Sequence, residues 1–212
     1  MSAAPQIAKR VPNRWGEGQR LRQEILDAAR RLLEEAGRPE DISLRAVARE
    51  AGVTAPAIYK HFRDKDELMW TLLDDVYATM AERLRAAHGS APAEDPWAGL
   101  RAVVHAYCGF AVDEPRRYEL LFLTGPSLPP PPESLGHPMG RLLDAWCEAT
   151  EPYLSEAGEG VGDHLDARLA AKLLWSGLHG LFGLWRNVSE VSDASQLDEL
   201  RDALLFSLFG RI

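Results

Sequence analysis

Between Ser43 and Lys65 the chain gathers side chains that can donate hydrogen bonds to an anion: the hydroxyls of Ser43, Thr54 and Tyr59, the cations Arg45, Lys60 and Lys65, and the His61 ring. Such donors match phosphate oxygens, and a lysine can also meet the acceptor edge of a guanine. Ala55, Pro56 and Ala57 lie among them, and the two alanines are small enough for close approach and for contact with a thymine methyl. Catalytic chemistry is thinner. His137, His164 and Asp163 could pair an imidazole with a carboxylate, yet they fall in or beside segments that read as loops. No nucleophile motif, metal-ligand spacing or phosphate-cradling glycine loop accompanies them. Cys108 and Cys147 are too far apart in sequence for a close ligand pair and read as small core residues. The residues therefore predict a protein that is not an enzyme and needs no metal or cofactor.

To share one face, those donors must sit on helices. Leu21, Ile25, Ala28, Leu32 and Ala36 recur at helical spacing, which predicts an amphipathic helix over 20–36, stopped near Gly37. Ser43 is an N-cap candidate, with Ile42 and Val47 placed as a hydrophobic staple. The short helix it opens carries Leu44, Val47, Ala48 and Ala51 inward and ends at Gly52. Thr54 offers a second N-cap and Pro56 lies in the first turn, where its missing amide hydrogen is tolerated. This third helix is predicted to reach Phe62. Val53, Ile58 and Phe62 turn inward, leaving Ala55, Pro56, Ala57, Tyr59, Lys60 and His61 outward. Two short helices broken by a glycine form a helix-turn-helix pattern, whose second helix enters a DNA major groove. Thr54 could also meet a phosphate at that helix's N-terminus.

Asp64 and Glu67 have the spacing of a capping box. Leu68, Leu72, Val76, Met80 and Leu84 then predict a long helix to about Ala87. Beyond 91–95, helices are predicted over 97–112, 115–124, 139–155, 166–187 and 196–209. The segment 125–138, with Pro126, Pro129 to Pro132 and Pro138, reads as a loop with extended character. No strand pattern is strong enough to place a sheet, so the fold class is all-α. The expected organisation is an N-terminal arm over 1–18, a DNA-binding head over 19–64, a connecting helix over 65–88 and a larger body over 89–212.

Charge follows the same division. Of 212 residues with a net charge of −8, residues 1–63 carry +4 and residues 64–212 carry −12. A basic segment holding a helix-turn-helix pattern is the electrostatic footprint of phosphate binding, and an acidic body needs no partner to explain it. Lys9, Arg10, Arg14, Arg20 and Arg22 could extend the head as an arm in the minor groove. A merely solubilising tail is the alternative. No apolar stretch approaches the roughly 18 residues of a membrane span, and the first residues lack the apolar core of a signal peptide. A cytoplasmic protein without membrane contact is expected.

The run Gly52-Val53-Thr54, then Ile58-Tyr59-Lys60-His61-Phe62, then Lys65-Asp66-Glu67-Leu68 resembles the DNA-binding signature of TetR-family regulators. The likeness covers about Arg20 to Leu72, including Ile25-Leu26-Asp27-Ala28-Ala29 and Ser43-Leu44-Arg45-Ala46-Val47-Ala48. It implies a homodimer with a three-helix head and a helical ligand-binding body. Its function would be regulation, most often repression, by binding a palindromic operator and leaving it when a small molecule binds. It further implies phosphate contacts from Ser43, Tyr59, His61 and Lys65, and base contacts from Ala55, Ala57 and Lys60. Alternatives of other classes are a helical enzyme, or a ligand- or partner-binding protein without DNA affinity.

In the body, Trp175 to Trp185 contains Gly177, Gly180 and Gly183. Each glycine costs about 1 kcal/mol inside a helix relative to alanine, which predicts close helix approach as compensation. This run resembles the tryptophan-histidine-glycine motif of one TetR subfamily, and Tyr118 to Phe122 resembles that subfamily's middle region. The resemblance implies that the last two helices pair with those of a second subunit, using Leu174, Leu178, Leu181 and Trp185 with Leu200, Leu204, Leu205 and Leu208. A pocket for an apolar or aromatic effector is expected among His105, Phe110, Tyr118, Phe122, Trp146, Trp175 and His179, with Trp97, Tyr107 and Phe182 near them. Ordinary core packing is the competing reading for each.

Overall fold

The computed structural model describes residues 17–36, 39–121, 138–157, 166–187 and 194–210. Among them the ordered secondary structure is helical throughout, with no strand. The chain divides within its fourth helix, between Asp75 and Val76.

The first unit begins with α1 (Glu17–Ala36). It starts three residues earlier than its apolar spacing predicts; Arg20 and Arg22 lie within it, as that spacing requires, and not in an arm. Lys9, Arg10 and Arg14 lie outside the described residues. The buried face of α1 is Leu21, Ile25, Leu26, Ala28, Ala29 and Leu33; Leu32 is half-buried and Ala36 exposed. A stripe at 3.6 residues per turn drifts, and by the last turns it has passed to Leu33. A single 3-10 turn (Pro39–Asp41) leads to α2 (Leu44–Glu50) and α3 (Ala55–Ile58). Ile42, Val47, Ala48, Ile58 and Phe62 complete this core. Gly52, between α2 and α3, has φ +67°, a conformation that L side chains rarely adopt.

Helix α4 (Lys65–Ser90) runs through both units. Asp64 Oδ1 accepts from Glu67 N at 2.8 Å, and Glu67 Oε2 accepts from Arg63 N at 2.8 Å. The return bond of the expected capping box thus reaches one residue further back. Leu68, Leu72, Val76, Met80 and Leu84 are all fully buried, and so are Met69, Trp70, Leu73, Tyr77 and Ala81. With apolar residues round most of its circumference, α4 is a core element in its own right.

The second unit holds α5 (Pro96–Asp113), most of α6 (Pro115–Leu120), α7 (Met139–Ala157), α8 (Ala167–Asn187) and α9 (Ala194–Phe209). Asp95 caps α5, its Oδ1 accepting from Ala98 N at 3.0 Å, and Asp166 caps α8 in the same way through Leu169 N at 2.6 Å. Helix α6 ends at Leu120, short of the expected 124; residues 122–137, including the proline-rich loop, lie outside the described residues. Helix α7 packs on α5 and α8, and α8 packs on α9. The Tyr153 hydroxyl donates to Phe209 O at 2.8 Å, and Trp97 stacks against Tyr153 at 5.2 Å, joining α5, α7 and α9.

Close helix approach holds at one of the three glycines. A Cβ on Gly177 would lie 2.7 Å from Leu204 Cδ2, so α8 and α9 meet there without room for a side chain. At Gly180 and Gly183 an added Cβ would meet nothing within 4 Å.

Candidate functional site

The head presents its donors because its apolar residues leave no choice of face. Ser43, in extended conformation, accepts at Oγ from Ala46 N at 3.2 Å and so starts α2. Thr54 occupies the N-cap position of α3, but its side chain makes no capping bond; its carbonyl accepts from Ala57 N at 2.9 Å instead. Helix α3 is one turn, shorter than expected. The turn is carried on by His61 N and Phe62 N, which both donate to Ile58 O at 2.8 and 2.9 Å. Ile58 and Phe62 are buried, while Tyr59 is 58% exposed. Ser43, Arg45, Thr54, Pro56 and Lys60 are also exposed, and Ala55, Ala57, His61 and Lys65 are half-buried. Val53, expected inward, is half-buried as well. Lys65 Nζ donates to Glu40 O at 3.3 Å, so a phosphate would share this ammonium with the chain.

Arg22 is the residue that sequence reasoning misplaced. Its guanidinium lies over the Phe62 ring at 4.8 Å and donates to Thr71 Oγ1 at 3.4 Å. Thr71 in turn donates to Glu67 O at 2.8 Å. Arg22 therefore clamps the end of the helix-turn-helix to α1 and α4. The signal for this is the apolar stripe itself, which begins at Leu21 and so already carries Arg22 on the helix.

In the second unit the predicted effector residues separate. Tyr118, Trp146, Trp175 and His179 come together with Tyr107 and Phe182. Tyr107 packs edge-on to Trp146 at 5.3 Å and to Tyr118 at 5.7 Å, and Phe182 lies 5.4 Å from Tyr118. Trp175 Nε1 donates to the Tyr107 hydroxyl at 3.0 Å. The Tyr107 and Tyr118 hydroxyls are 3.2 Å apart, and Tyr118 Oη is 2.9 Å from His179 Nδ1. Burial holds His179 below the usual histidine range and drives Tyr107 well above the usual phenol range. With His179 neutral, donation from Trp175 to Tyr107, to Tyr118, to His179 uses each proton once.

His105 and Phe110 are not in this cluster. His105 is exposed and stands 3.4 Å from Arg201 Nη1, at a groove of about 290 Å³ that Cys108, Val112 and Leu197 also line. Phe110 is buried beneath the guanidinium groups of Arg83 and Arg117, which share the Glu114 carboxylate. Phe122 lies outside the described residues, as do His137, Asp163 and His164. Burial pushes the Cys108 thiol up to about 12 and raises Cys147, so both stay protonated. Among the described residues no group of three or more His, Cys, Asp or Glu could hold a metal ion, and no helix is long and apolar enough to cross a membrane.

His61, His105 and His179 all sit below the usual histidine range. Burial is the largest cause at each, followed by Arg22 and Lys60 at His61 and by Arg201 and Arg101 at His105. The unfolded chain takes up these protons near pH 6.5 and the folded chain only at lower pH, so in that interval unfolding binds protons. Stability is therefore expected to fall as pH drops from above about 6.5 through the folded values, then to level off. Melting temperatures between pH 7.5 and 5.5 test this, and His61→Gln should flatten part of the slope.

The predicted dimer residues also separate. Leu174 and Leu178 are buried inside their own subunit and cannot face a partner. Leu181, Trp185, Leu204 and Leu208 are half-buried, and Leu204 fills the space over Gly177. Leu205 is buried, and only Leu200 of the set is exposed. The exposed large apolar residues of α8 and α9 are instead Leu169, Leu173, Leu184, Leu200 and Phe206.

Comparison with known proteins gives this geometry a context. Residues 25–70 match the model of bacterial regulatory proteins of the tetR family, and residues 100–207 match a tetracyclin repressor-like C-terminal domain. The HTH-type transcriptional regulator Rv1816 of Mycobacterium tuberculosis is 31% identical over 156 residues, a match that covers 73% of this chain and 64% of that protein. The chain thus spans just under two thirds of the length of the curated relatives it matches. Among solved structures, SmeT, the repressor of the Stenotrophomonas maltophilia multidrug efflux pump SmeDEF, superposes with TM-score 0.63 at 19% identity, covering 89% of this chain and 90% of SmeT. SmeT has also been solved in complex with triclosan. The fatty acid degradation regulator FadR from Bacillus halodurans gives TM-score 0.61 at 20% identity, covering 93% and 97%. These likenesses are to regulators and not to enzymes, and the two domain matches take in the helix-turn-helix head and most of the body: the chain belongs to the tetR family of bacterial regulatory proteins.

Proposed function

We infer that this protein is a ligand-responsive repressor that works in the cytoplasm, binds a palindromic operator as a homodimer and leaves it when a small molecule binds. The observation that carries DNA binding is the outward face of α3 and its following turn: Pro56, Tyr59 and Lys60 stand exposed while Ile58 and Phe62 lock the same turn into the core. Tyr59, Lys60, His61 and Lys65 take phosphates together with Ser43, Arg45 and Thr54, and Ala55, Ala57 and Lys60 approach the bases.

Dimerisation is supported by an apolar face that the subunit leaves open. Leu169, Leu173, Gly180 and Leu184 follow one another at whole-turn spacings along α8, with Leu200 and Phe206 exposed on α9. Gly180 is exposed with open space at its Cβ position, so a second backbone has room to approach. One short recognition helix reads few base pairs, and a two-fold pair of them accounts for a palindrome. The glycine-bearing run Trp175 to Trp185 on α8 supports assigning the body to the subfamily with the tryptophan-histidine-glycine motif. The aromatic cluster around Tyr107 and Tyr118, and the triclosan complex of SmeT, support an apolar or aromatic effector.

The test is a gel shift with fragments from upstream of the protein's own gene across a salt series. Saturable binding that weakens steeply with salt and footprints as paired half-sites is the expected result. Absence of saturable binding to any genomic fragment would overturn the reading, and would leave a ligand- or partner-binding protein in its place.

A further inference from the structure

At the centre of the aromatic cluster of the second unit is a polar group that the described residues leave unmatched. Trp146 is fully buried on α7, with its ring 5.3 Å from Tyr107, and its Nε1–H has no hydrogen-bond partner. Of the neighbouring indoles, Trp185, 6.1 Å from Phe182 at the cluster's margin, is likewise unmatched among the described residues, whereas Trp175 is not. Trp175 Nε1 reaches the Tyr107 hydroxyl, and the hydroxyls continue the chain to His179. An indole nitrogen can only donate, so what Trp146 lacks is an acceptor. Buried donors left unmatched are rare in folded proteins and mark places where something else completes the bond.

The rest of the cluster limits what that can be. Tyr107, Tyr118, Trp146, Trp175, His179 and Phe182 carry no formal charge when His179 is neutral, as burial keeps it. An ion brought among them would lose its water without gaining a counter-charge. The rings that pack on Tyr107 at 5.3 to 6.3 Å make these surroundings apolar, which suits a carbon skeleton and not a charged head.

We propose that the effector is an uncharged, mainly apolar molecule bearing a hydrogen-bond acceptor such as a ketone or ether oxygen, and that Trp146 Nε1–H is the donor that recognises it. This rests on the reading of the protein as ligand-responsive and adds the chemistry by which the ligand is chosen. A matching hydrocarbon would fit the rings and leave the donor unmatched. A carboxylate would supply acceptors and bring a charge the cluster cannot balance.

Three small probes separate these cases: acetophenone, ethylbenzene and benzoate, added to the full-length protein labelled with nitrogen-15. The indole N–H resonance of Trp146 is identified by its loss in Trp146→Phe. Acetophenone is expected to move that resonance, and ethylbenzene and benzoate to leave it nearly in place. The acetophenone-to-ethylbenzene affinity ratio is expected to fall about tenfold in Trp146→Phe, the worth of one net hydrogen bond. Equal ratios in the two proteins would overturn the proposal. So would tighter binding of benzoate, or a Trp146 resonance that answers to none of the probes at their solubility limits. The wild-type titration stands whether or not the Phe variant folds. Operator binding, followed by fluorescence anisotropy in the same samples, keeps the two readings apart. Probe binding that follows Trp146 without releasing DNA supports the site and counts against the ligand-responsive reading. Release that ignores Trp146 does the reverse.

Discussion

Replacing Tyr59 and Lys60 together by alanine is expected to lower operator affinity by about 100-fold or more while leaving the head folded. Both side chains are exposed, Tyr59 by 58%, and neither fills the core that Ile58 and Phe62 build. A two-fold dimer would lose four contacts. A hydrogen bond to a charged group is worth about 1.5 kcal/mol at the low end, so four come to about 6 kcal/mol on that low figure. Exposed side chains give part of that back as entropy on being fixed, which is why the expected loss is the smaller figure. The salt dependence supplies the independent signature. Each phosphate contact contributes about 0.9 to the slope of log affinity against log salt. Only the lysine neutralises a phosphate, so the slope of a two-fold dimer's variant should be shallower by up to about 1.8. Circular dichroism should stay as in the parent. An unchanged slope would mean that Lys60 does not meet a phosphate.

Placing aspartates at Leu173 and Leu184 is expected to split the proposed dimer without unfolding the subunit. These residues are 42% and 52% exposed in the subunit, so a charge there stays hydrated until a second subunit covers it. In an isologous contact each substitution acts twice. An uncompensated buried charge costs on the order of several kcal/mol. Dimer dissociation should therefore rise by at least about 100-fold, read by sedimentation equilibrium. Operator affinity should fall with it, because each head then reads a single half-site. Leu174→Asp is the informative contrast. Leu174 is fully buried, so its aspartate should cost the subunit its cooperative melting transition. If Leu174→Asp folded and dissociated the dimer while the Leu173 and Leu184 variant remained dimeric, the open face of α8 would be the wrong surface.

That contrast shows how far the sequence could be read. In the head one face of each short helix is apolar and the other is not, so periodicity alone separates Ile58 and Phe62 from Tyr59 and Lys60. In α8 two neighbouring stripes are both rich in leucine: 174, 178, 181 and 185 on one, 169, 173, 180 and 184 on the other. Helical spacing identifies each stripe but does not say which one α7 and α9 will cover. The same limit governs α5, where His105 and Tyr107 are two residues apart, about 200° round the helix. One faces Arg201 at the protein's edge and the other the aromatic cluster. A pool of aromatic and weakly polar residues drawn from composition takes in both.

The caps at Ser43 and Asp64 and the turn at Gly52 were determined by the sequence itself, because the hydrogen bonds from Ala46 N to Ser43 Oγ and from Glu67 N to Asp64 Oδ1, and the positive φ of Gly52, depend on residues within one turn of each other. Only the tertiary structure decided that Arg22 clamps Phe62, that Gly177 receives Leu204, and that Trp146 is buried with its N–H unmatched. Each of those depends on which of several apolar or polar faces a distant helix covers, and burial is a property of the packed chain as a whole.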